Sequence, residues 1–250
     1  MERTTVRRIL QDVSRDWDVR DQRDLGEQIA EIEHVDDLFP ADGAGRTVLD
    51  IGLERGFKSI PLARSNYRVF GLDFADDRIA ARTERFYAPN GIDVQTCNVT
   101  SEPIPHPNDT FDYVMLNGVL EHWFCSPFYA LSEIRRVLKP GGQFILETPN
   151  AANLRKRLWL LAGRYPYTPL TAIHNATQPH AFHHREHTMR ELEWLVSRAG
   201  FEVVRKLYRD GFHKSSPTLP KRMYWIMTTL APPFRDMLIL VARKPGRAAE

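Results

Sequence analysis

Three sets of residues in this sequence have the types and spacing to do chemistry. The first is Asp50-Ile51-Gly52-Leu53-Glu54-Arg55-Gly56, an acid followed by two glycines four positions apart, directly after the apolar run Val48-Leu49. An apolar run that stops at an acid and a glycine and passes into a helix reads as strand, tight turn, helix, the opening unit of an α/β nucleotide-type site. Gly52 lets the chain turn sharply beside a ligand, and Gly56 lets the next helix pack on the strand. The spacing is not that of a pyrophosphate-cradling loop, so a nicotinamide-dependent reductase is poorly supported. Asp50 would repel a pyrophosphate but suits a ligand carrying an ammonium group. The second is Asp73, at the end of Tyr67-Arg68-Val69-Phe70-Gly71-Leu72. It stands about 20 residues past the turn, where such sites place the carboxylate that accepts hydrogen bonds from ribose hydroxyls; a helix cap for Ile79 onward is the structural alternative. The third is histidine: His122, and a crowd at His174, His180, His183, His184 and His187. Imidazoles of ordinary pKa can take a proton from a hydroxyl. With no cysteine or clustered acids near the crowd, no metal is expected there.

The elements that must position these residues alternate. Strands are expected at Thr47–Ile51, Tyr67–Asp73, Ile92–Cys97, Phe111–Asn117 and Gln143–Glu147, with helical patterns at 59–64, 76–87 and 130–138 between them. Such alternation implies a parallel sheet, right-handed crossovers and a ligand crevice at the carboxyl ends of the strands. Asp50, Asp73, Asn98 and Asn117 all fall at those ends. Before the glycine turn, residues 4–40 carry two amphipathic registers that cover a sheet face or contribute Trp17 to a lid. Residues 1–45 are thus a helical cover, and 46–150 the ligand-binding core. An insertion at 151–187 holds a basic-faced helix, Leu154 to Leu161, and an aromatic loop, Arg164 to Pro169. The core resumes over 188–243, opening on the capping-box pattern Thr188-Met189-Arg190-Glu191 and including a second insertion at 208–234. Long insertions at the carboxyl edge of such a sheet are commonly lids. Arg155, Lys156, Arg157 and Arg164 either bind an acidic acceptor or form a solvated face. Tyr224 to Met227 pack in the core, line an apolar pocket or touch lipid.

The chain has 42% apolar residues, enough for a full core, and a net charge of +2 with both signs interleaved, which gives no reason to expect nucleic acid. The N-terminus has no apolar leader, and no run approaches the roughly 20 apolar residues of a spanning helix. A cytoplasmic protein with no stable membrane insertion is expected, as monomer or homodimer, with Cys97 and Cys125 as free thiols.

Val48-Leu49-Asp50-Ile51-Gly52 followed by Gly56 resembles the first motif of the class I S-adenosylmethionine-dependent methyltransferases. The segment Ile104-Pro105 through Asn108-Asp109-Thr110-Phe111-Asp112-Tyr113-Val114 resembles a second motif, with Val119-Leu120-Glu121-His122 downstream. Leu138-Lys139-Pro140-Gly141-Gly142 resembles a third. Glu54 stands where the family usually has its middle glycine, so its side chain either touches the methionine part of the cofactor or points away from it. The resemblance implies a Rossmann-like α/β fold: a seven-stranded, mostly parallel sheet with helices on both faces and two lid insertions. It also implies S-adenosylmethionine as cofactor, held by Asp50, Gly52, Glu54, Gly56, Asp73, Phe74, Asn98, Val99 and Asn117, with Asn98 accepting from the adenine amino group.

The reaction so implied is transfer of a sulfonium methyl by in-line displacement, accelerated by alignment and exclusion of water. A sugar or aliphatic hydroxyl must also lose its proton, so a positioned base is required, and His122, His183 and His184 are the candidates. In members that methylate phenol-like lipids, an acid-x-x-Glu-His arrangement holds a divalent metal; here Gly118 occupies the first acid's position. The insertion resembles the lids of enzymes from glycolipid, polysaccharide and secondary-metabolite pathways, which implies O-methylation of a small glycosyl, lipid-linked or polyketide-like acceptor. The alternative is a non-catalytic module that keeps the fold and binds cofactor or a partner.

Overall fold

The computed structural model describes residues 8–12, 38–53, 56–75, 79–176, 182–210 and 219–246. The expected N-terminal helices lie almost wholly outside the described residues, apart from a helical piece at 8–12 that buries Leu10. Glu54 and His180 lie outside them as well.

Seven strands form one sheet in the order β3-β2-β1-β4-β5-β7-β6. They are β1 (Thr47–Ile51), β2 (Arg68–Asp73), β3 (Asp93–Thr96), β4 (Phe111–Asn117), β5 (Leu138–Pro149), β6 (Glu202–Arg209) and β7 (Met237–Arg243). Strands β1, β2 and β3 pair in parallel, while β7 runs antiparallel to both β5 and β6. Parallel strands buried on both faces must read as near-continuous apolar runs, as Val48-Leu49 and Val114-Met115-Leu116 do. The expected α/β sheet is therefore present. The helix before the third motif ends at Val137, and Leu138 through Gly142 already belong to β5, pinned by the Gly141 N–H to the Lys244 carbonyl (2.9 Å) and the Lys244 N–H to the Gly142 carbonyl (2.9 Å).

The chain divides into two compact units, Met1–Asn98 with Thr110–Met115, and Val99–Asp109 with Leu116–Glu250. In the first unit, helix α1 (Ser59–Ala63) follows the glycine turn, and α2 (Ile79–Arg82) runs into a wide turn, Thr83–Tyr87. Gly71 explains how β2 lies so close to the turn: a Cβ there would sit 2.2 Å from Leu53 Cδ2. Phe39, Tyr67 and Tyr113 close the opposite end with ring centroids 4.9 to 6.2 Å apart.

In the second unit, helix α3 (Phe128–Val137) buries Ala130, Leu131, Ile134 and Val137, an i, i+1, i+4, i+7 face. Its Arg136 reaches the carbonyls of Ile104 and His106 (2.8 Å each), which fastens the proline-containing loop of the second motif. Helix α6 (Met189–Arg198) opens on the predicted capping box, Thr188 and Glu191 exchanging side chain to backbone bonds. The insertions supply α4 (Leu154–Leu161), α5 (Leu170–Asn175) and α7 (Leu219–Leu230). In helix α7, Thr228 is buried and Tyr224 half-buried, while Met223, Ile226, Met227 and Leu230 face outward. Core packing of the Tyr224–Met227 stretch is thereby corrected; its inward anchors are polar, with Tyr224 Oη bonded to Asp236 Oδ1 at 3.0 Å.

Candidate functional site

In the first unit, the glycine turn has the backbone its sequence demands. Gly52 and Gly56 sit at φ 74° and 72°, the left-handed region open to glycine at no steric cost. The Gly52 N–H donates to the Leu72 carbonyl (2.7 Å), which ties the turn to β2. Gly56 also lies against Tyr87, whose ring would be 3.3 Å from an added Cβ. Asp50 is buried and accepts the Ser59 hydroxyl at 2.6 Å, so one carboxylate oxygen locks α1 onto the strand that precedes it. At the end of β2, Asp73 has its carboxylate 3.9 Å from the Arg82 guanidinium and accepts the Phe74 N–H at 2.8 Å. Phe74 is half exposed beside it. The Cys97 N–H donates to the Asp73 carbonyl (3.0 Å), which places Asn98 just past the carboxyl end of β3.

In the second unit, Val99 is buried and Asn117 ends β4. Asn117 Nδ2 is buried without a hydrogen-bond partner, an orphan donor of the kind that a polar ligand satisfies. Just beyond it, the histidines converge. The imidazoles of His122 and His183 meet edge to face with centroids 4.9 Å apart. His122 Nδ1 lies 3.1 Å from the Phe182 carbonyl, which can only accept, so Nδ1 carries the proton and Nε2 the lone pair. His183 Nδ1 faces Glu186 Oε1 at 3.4 Å with the same consequence. Burial, then the neighbouring His122 and Lys156, pushes the His183 imidazolium down to about 4. This ring is neutral throughout the physiological range.

Glu121 completes the group. Its carboxylate is almost fully buried, accepts the Thr148 hydroxyl at 2.9 Å, and has a ligand atom within 4.8 Å of ligand atoms on both His122 and His183. A carboxylate and two imidazoles are a donor set that suits a divalent cation. Sequence spacing offered only Glu121 and His122 for such a site. His183, brought in by the insertion, supplies the third ligand atom, while Gly118 sits at φ 66° with an added Cβ 3.7 Å from Glu121 Oε1.

The insertion is fastened here by a buried ion pair. Lys156, expected on a basic solvated or acceptor-binding face, instead points inward: it donates to the Asn150 carbonyl (3.0 Å), pairs with Glu186, and lies 5.7 Å from the Tyr167 ring centroid. Burial and the adjacent Arg155 push its ammonium down to about 8. Arg157 is also committed within the protein, donating to the Ala152 carbonyl and covering Phe234. The N–H groups of His184 and Arg185 donate to the Glu121 carbonyl (2.7 and 3.2 Å), and Thr168 donates to the His183 carbonyl (2.8 Å).

A cavity of about 330 Å³ opens beside these groups, lined by Tyr165, Tyr167, Thr168, Ile173, Phe182 and the run His183 to Glu186. His183 and His184 both reach it; His184 is exposed and its ring packs on Phe182 (4.5 Å) and Phe124 (5.6 Å). His174 is exposed and does not line the cavity. His187 is mostly buried, its Nδ1 has no hydrogen-bond partner, and burial lowers its pKa. Glu186 and Thr148 escaped the sequence reading. Glu186 left a signal: it is the single acid in residues 151–190, among six arginines and lysines.

A model of the methyltransferase domain family matches residues 22–206 of the chain. A protein of Mycolicibacterium smegmatis named as a probable S-adenosylmethionine-dependent methyltransferase is 35% identical over 161 residues, 64% of this chain and 53% of that protein. A ubiquinone biosynthesis O-methyltransferase of Cereibacter sphaeroides is 34% identical over 127 residues, half of each chain. The chain spans about half the length of the curated relatives it matches. Among solved structures, a methyltransferase of Archaeoglobus fulgidus superposes with TM-score 0.59 at 17% identity, over 88% of this chain and 98% of that one. The Burkholderia thailandensis 1,6-didemethyltoxoflavin-N1-methyltransferase, solved with S-adenosylhomocysteine, gives 0.54 at 18% identity over 90% and 83%. These likenesses establish the same fold, and the match of most of the sequence to the family model establishes descent: the chain belongs to the methyltransferase domain family.

Proposed function

We propose that this protein methylates an oxygen of a small glycosyl, lipid-linked or polyketide-like acceptor, with His183 or His122 receiving the hydroxyl proton. The chain is an S-adenosylmethionine-dependent methyltransferase, and S-adenosylmethionine is its cofactor. In the reaction the acceptor oxygen attacks the sulfonium methyl, the carbon–sulfur bond breaks with its electron pair passing to sulfur, and S-adenosylhomocysteine leaves. The hydroxyl proton passes to the lone pair of an imidazole Nε2.

The observation that carries this reading is the His122–His183 pair beside the aromatic cavity, each ring held with Nδ1 on an acceptor. Tyr165, Tyr167 and Phe182 provide faces for a sugar or polyketide ring, and the cavity is of small-molecule size. The O-methyltransferases among the relatives favour oxygen as the acceptor atom. For the cofactor, we assign Asp73 to the ribose hydroxyls, Phe74 to an adenine face, Asn98 to its amino group, and the turn through Asp50, Gly52 and Gly56 to the methionine part.

A panel of hydroxyl acceptors assayed for S-adenosylhomocysteine release tests the reading. His183→Asn and His122→Asn are expected to lower kcat at least about a hundredfold in one of the two, a size typical of a lost general base, with cofactor affinity unchanged. Full activity in both variants would refute it. A second reading is favoured by the ligand-atom cluster alone: Glu121, His122 and His183 would hold a divalent cation that binds and acidifies the acceptor hydroxyl. Chelation separates the two, since it abolishes turnover only in the second.

A further inference from the structure

We propose that the end of helix α4 and the outer stripe of helix α7 form a docking surface for an anionic lipid bilayer, on which the protein rests without crossing it. The proposal stands independently of which atom is methylated. Its first ground is α4, where Leu158, Trp159, Leu160 and Leu161 are four consecutive exposed residues that together point to every side of the helix. A helix end apolar all round is stable only when something other than water surrounds it. Leu161 keeps 85% of its surface exposed.

The second ground is the inverted polarity of α7. Met223, Ile226, Met227 and Leu230 follow the i, i+3, i+4, i+7 spacing of a buried stripe, yet all four face outward, while the inward positions are Tyr224 and Thr228. Leu230 is 80% exposed. Both helices are rooted in the same place: Arg155 at the start of α4 is close enough to Tyr224 of α7 to act on its charge, and Arg157 covers Phe234 just after α7.

Charge selects the occupant. Besides the buried Lys156, residues 151–176 contain Arg155, Arg157 and Arg164 and no acid; residues 211–230 contain Lys214, Lys221 and Arg222 and again no acid, while Arg235 is paired with Asp210. The whole chain is only +2, so these six charges, Arg155, Arg157, Arg164, Lys214, Lys221 and Arg222, leave the remainder net acidic. An apolar stripe beside basic residues, with Trp159 and Trp225 exposed at its edges, has the composition of a surface that settles at the headgroup level of a negatively charged leaflet. A second copy is a poor occupant, because a two-fold interface would set two copies of these basic, acid-free segments against each other.

Vesicle flotation of the full chain provides the test, with phosphatidylcholine vesicles and with vesicles containing about a third phosphatidylglycerol, a content that gives the surface a negative potential. The protein is expected to float with the anionic vesicles, and Leu160→Asp with Leu161→Asp to lower the partition coefficient at least about tenfold. Arg164→Glu should weaken binding less, and about 1 M salt should weaken it for the parent protein, since charge screening shortens to roughly 3 Å. These side chains are exposed, so the variants should keep their melting temperature and S-adenosylmethionine affinity. Absence of flotation with anionic vesicles, or equal flotation by the Leu160→Asp, Leu161→Asp variant, would overturn the proposal. So would sedimentation showing a dimer that the same two substitutions dissociate.

Discussion

Glu186→Gln removes the carboxylate paired with the buried Lys156, and its cost can be bounded from the structure. In the folded protein the ammonium retains the Asn150 carbonyl at 3.0 Å and the face of Tyr167 at 5.7 Å once the carboxylate is gone. Breaking one partner of a buried ion pair costs about 3–5 kcal/mol when the remaining charge has no escape. Lys156 has one: its ammonium already sits at about 8, so becoming neutral at pH 7 costs only about 1.4 kcal/mol at 1.36 kcal/mol per pH unit. The loss should therefore lie at about 1–3 kcal/mol at pH 7, the lost charge and the lost hydrogen bond together. Its pH dependence has a definite sign. A lysine whose folded pKa is depressed binds fewer protons folded than unfolded, so stability rises with pH between the folded value and 10.5. The deficit of Glu186→Gln should shrink between pH 6.5 and 8.5, as the parent's Lys156 loses its proton near 8, as measured by urea denaturation, and the double variant Lys156→Met, Glu186→Leu should recover most of it. A deficit below about 1 kcal/mol that does not change with pH would refute a buried pair that fastens the insertion.

Other expectations rest on single groups. Because His183 is held neutral down to about 4, the rate of methyl transfer should stay flat from pH 8 to 6 if it is the base; a fall centred near an ordinary histidine value of about 6.5 would exclude it. Asp73→Ala should weaken S-adenosylmethionine binding by about tenfold or more in calorimetric titration, the value of hydrogen bonds to a charged acceptor, and unchanged affinity would refute the ribose assignment. Gly71→Ala must push Leu53 aside and should cost about 1–3 kcal/mol in denaturant unfolding, with Leu53→Ala in the same chain recovering part of it. Thr188→Ala deletes the capping box of α6 and should cost about 1 kcal/mol, whereas Thr188→Ser should be close to neutral.

Much of this was legible in the chain because it is local. A strand buried on both faces has to be an apolar run, and a turn at φ 74° favours glycine, so β1, Gly52 and the end of β2 could be placed from residue order alone. The capping box of α6 is likewise a matter of a few adjacent residues. The histidine cluster was different. His122 and His183 are 61 positions apart in the sequence, and nothing in spacing says that His183, and not His174 or His187, meets His122. Backbone bonds from His184 and Arg185 to the Glu121 carbonyl decide that, and they form only once the insertion has folded back. Charge misled for the same reason: Lys156 looks like one more basic residue on a wet helix face until Glu186, 30 positions later, arrives beside it. Sequence determined the alternation, the turns and the caps, because those depend on a residue and its near neighbours. Tertiary structure alone decided which histidines form a site, which lysine is buried and which apolar helix faces remain in water, because each depends on what long-range folding brings alongside.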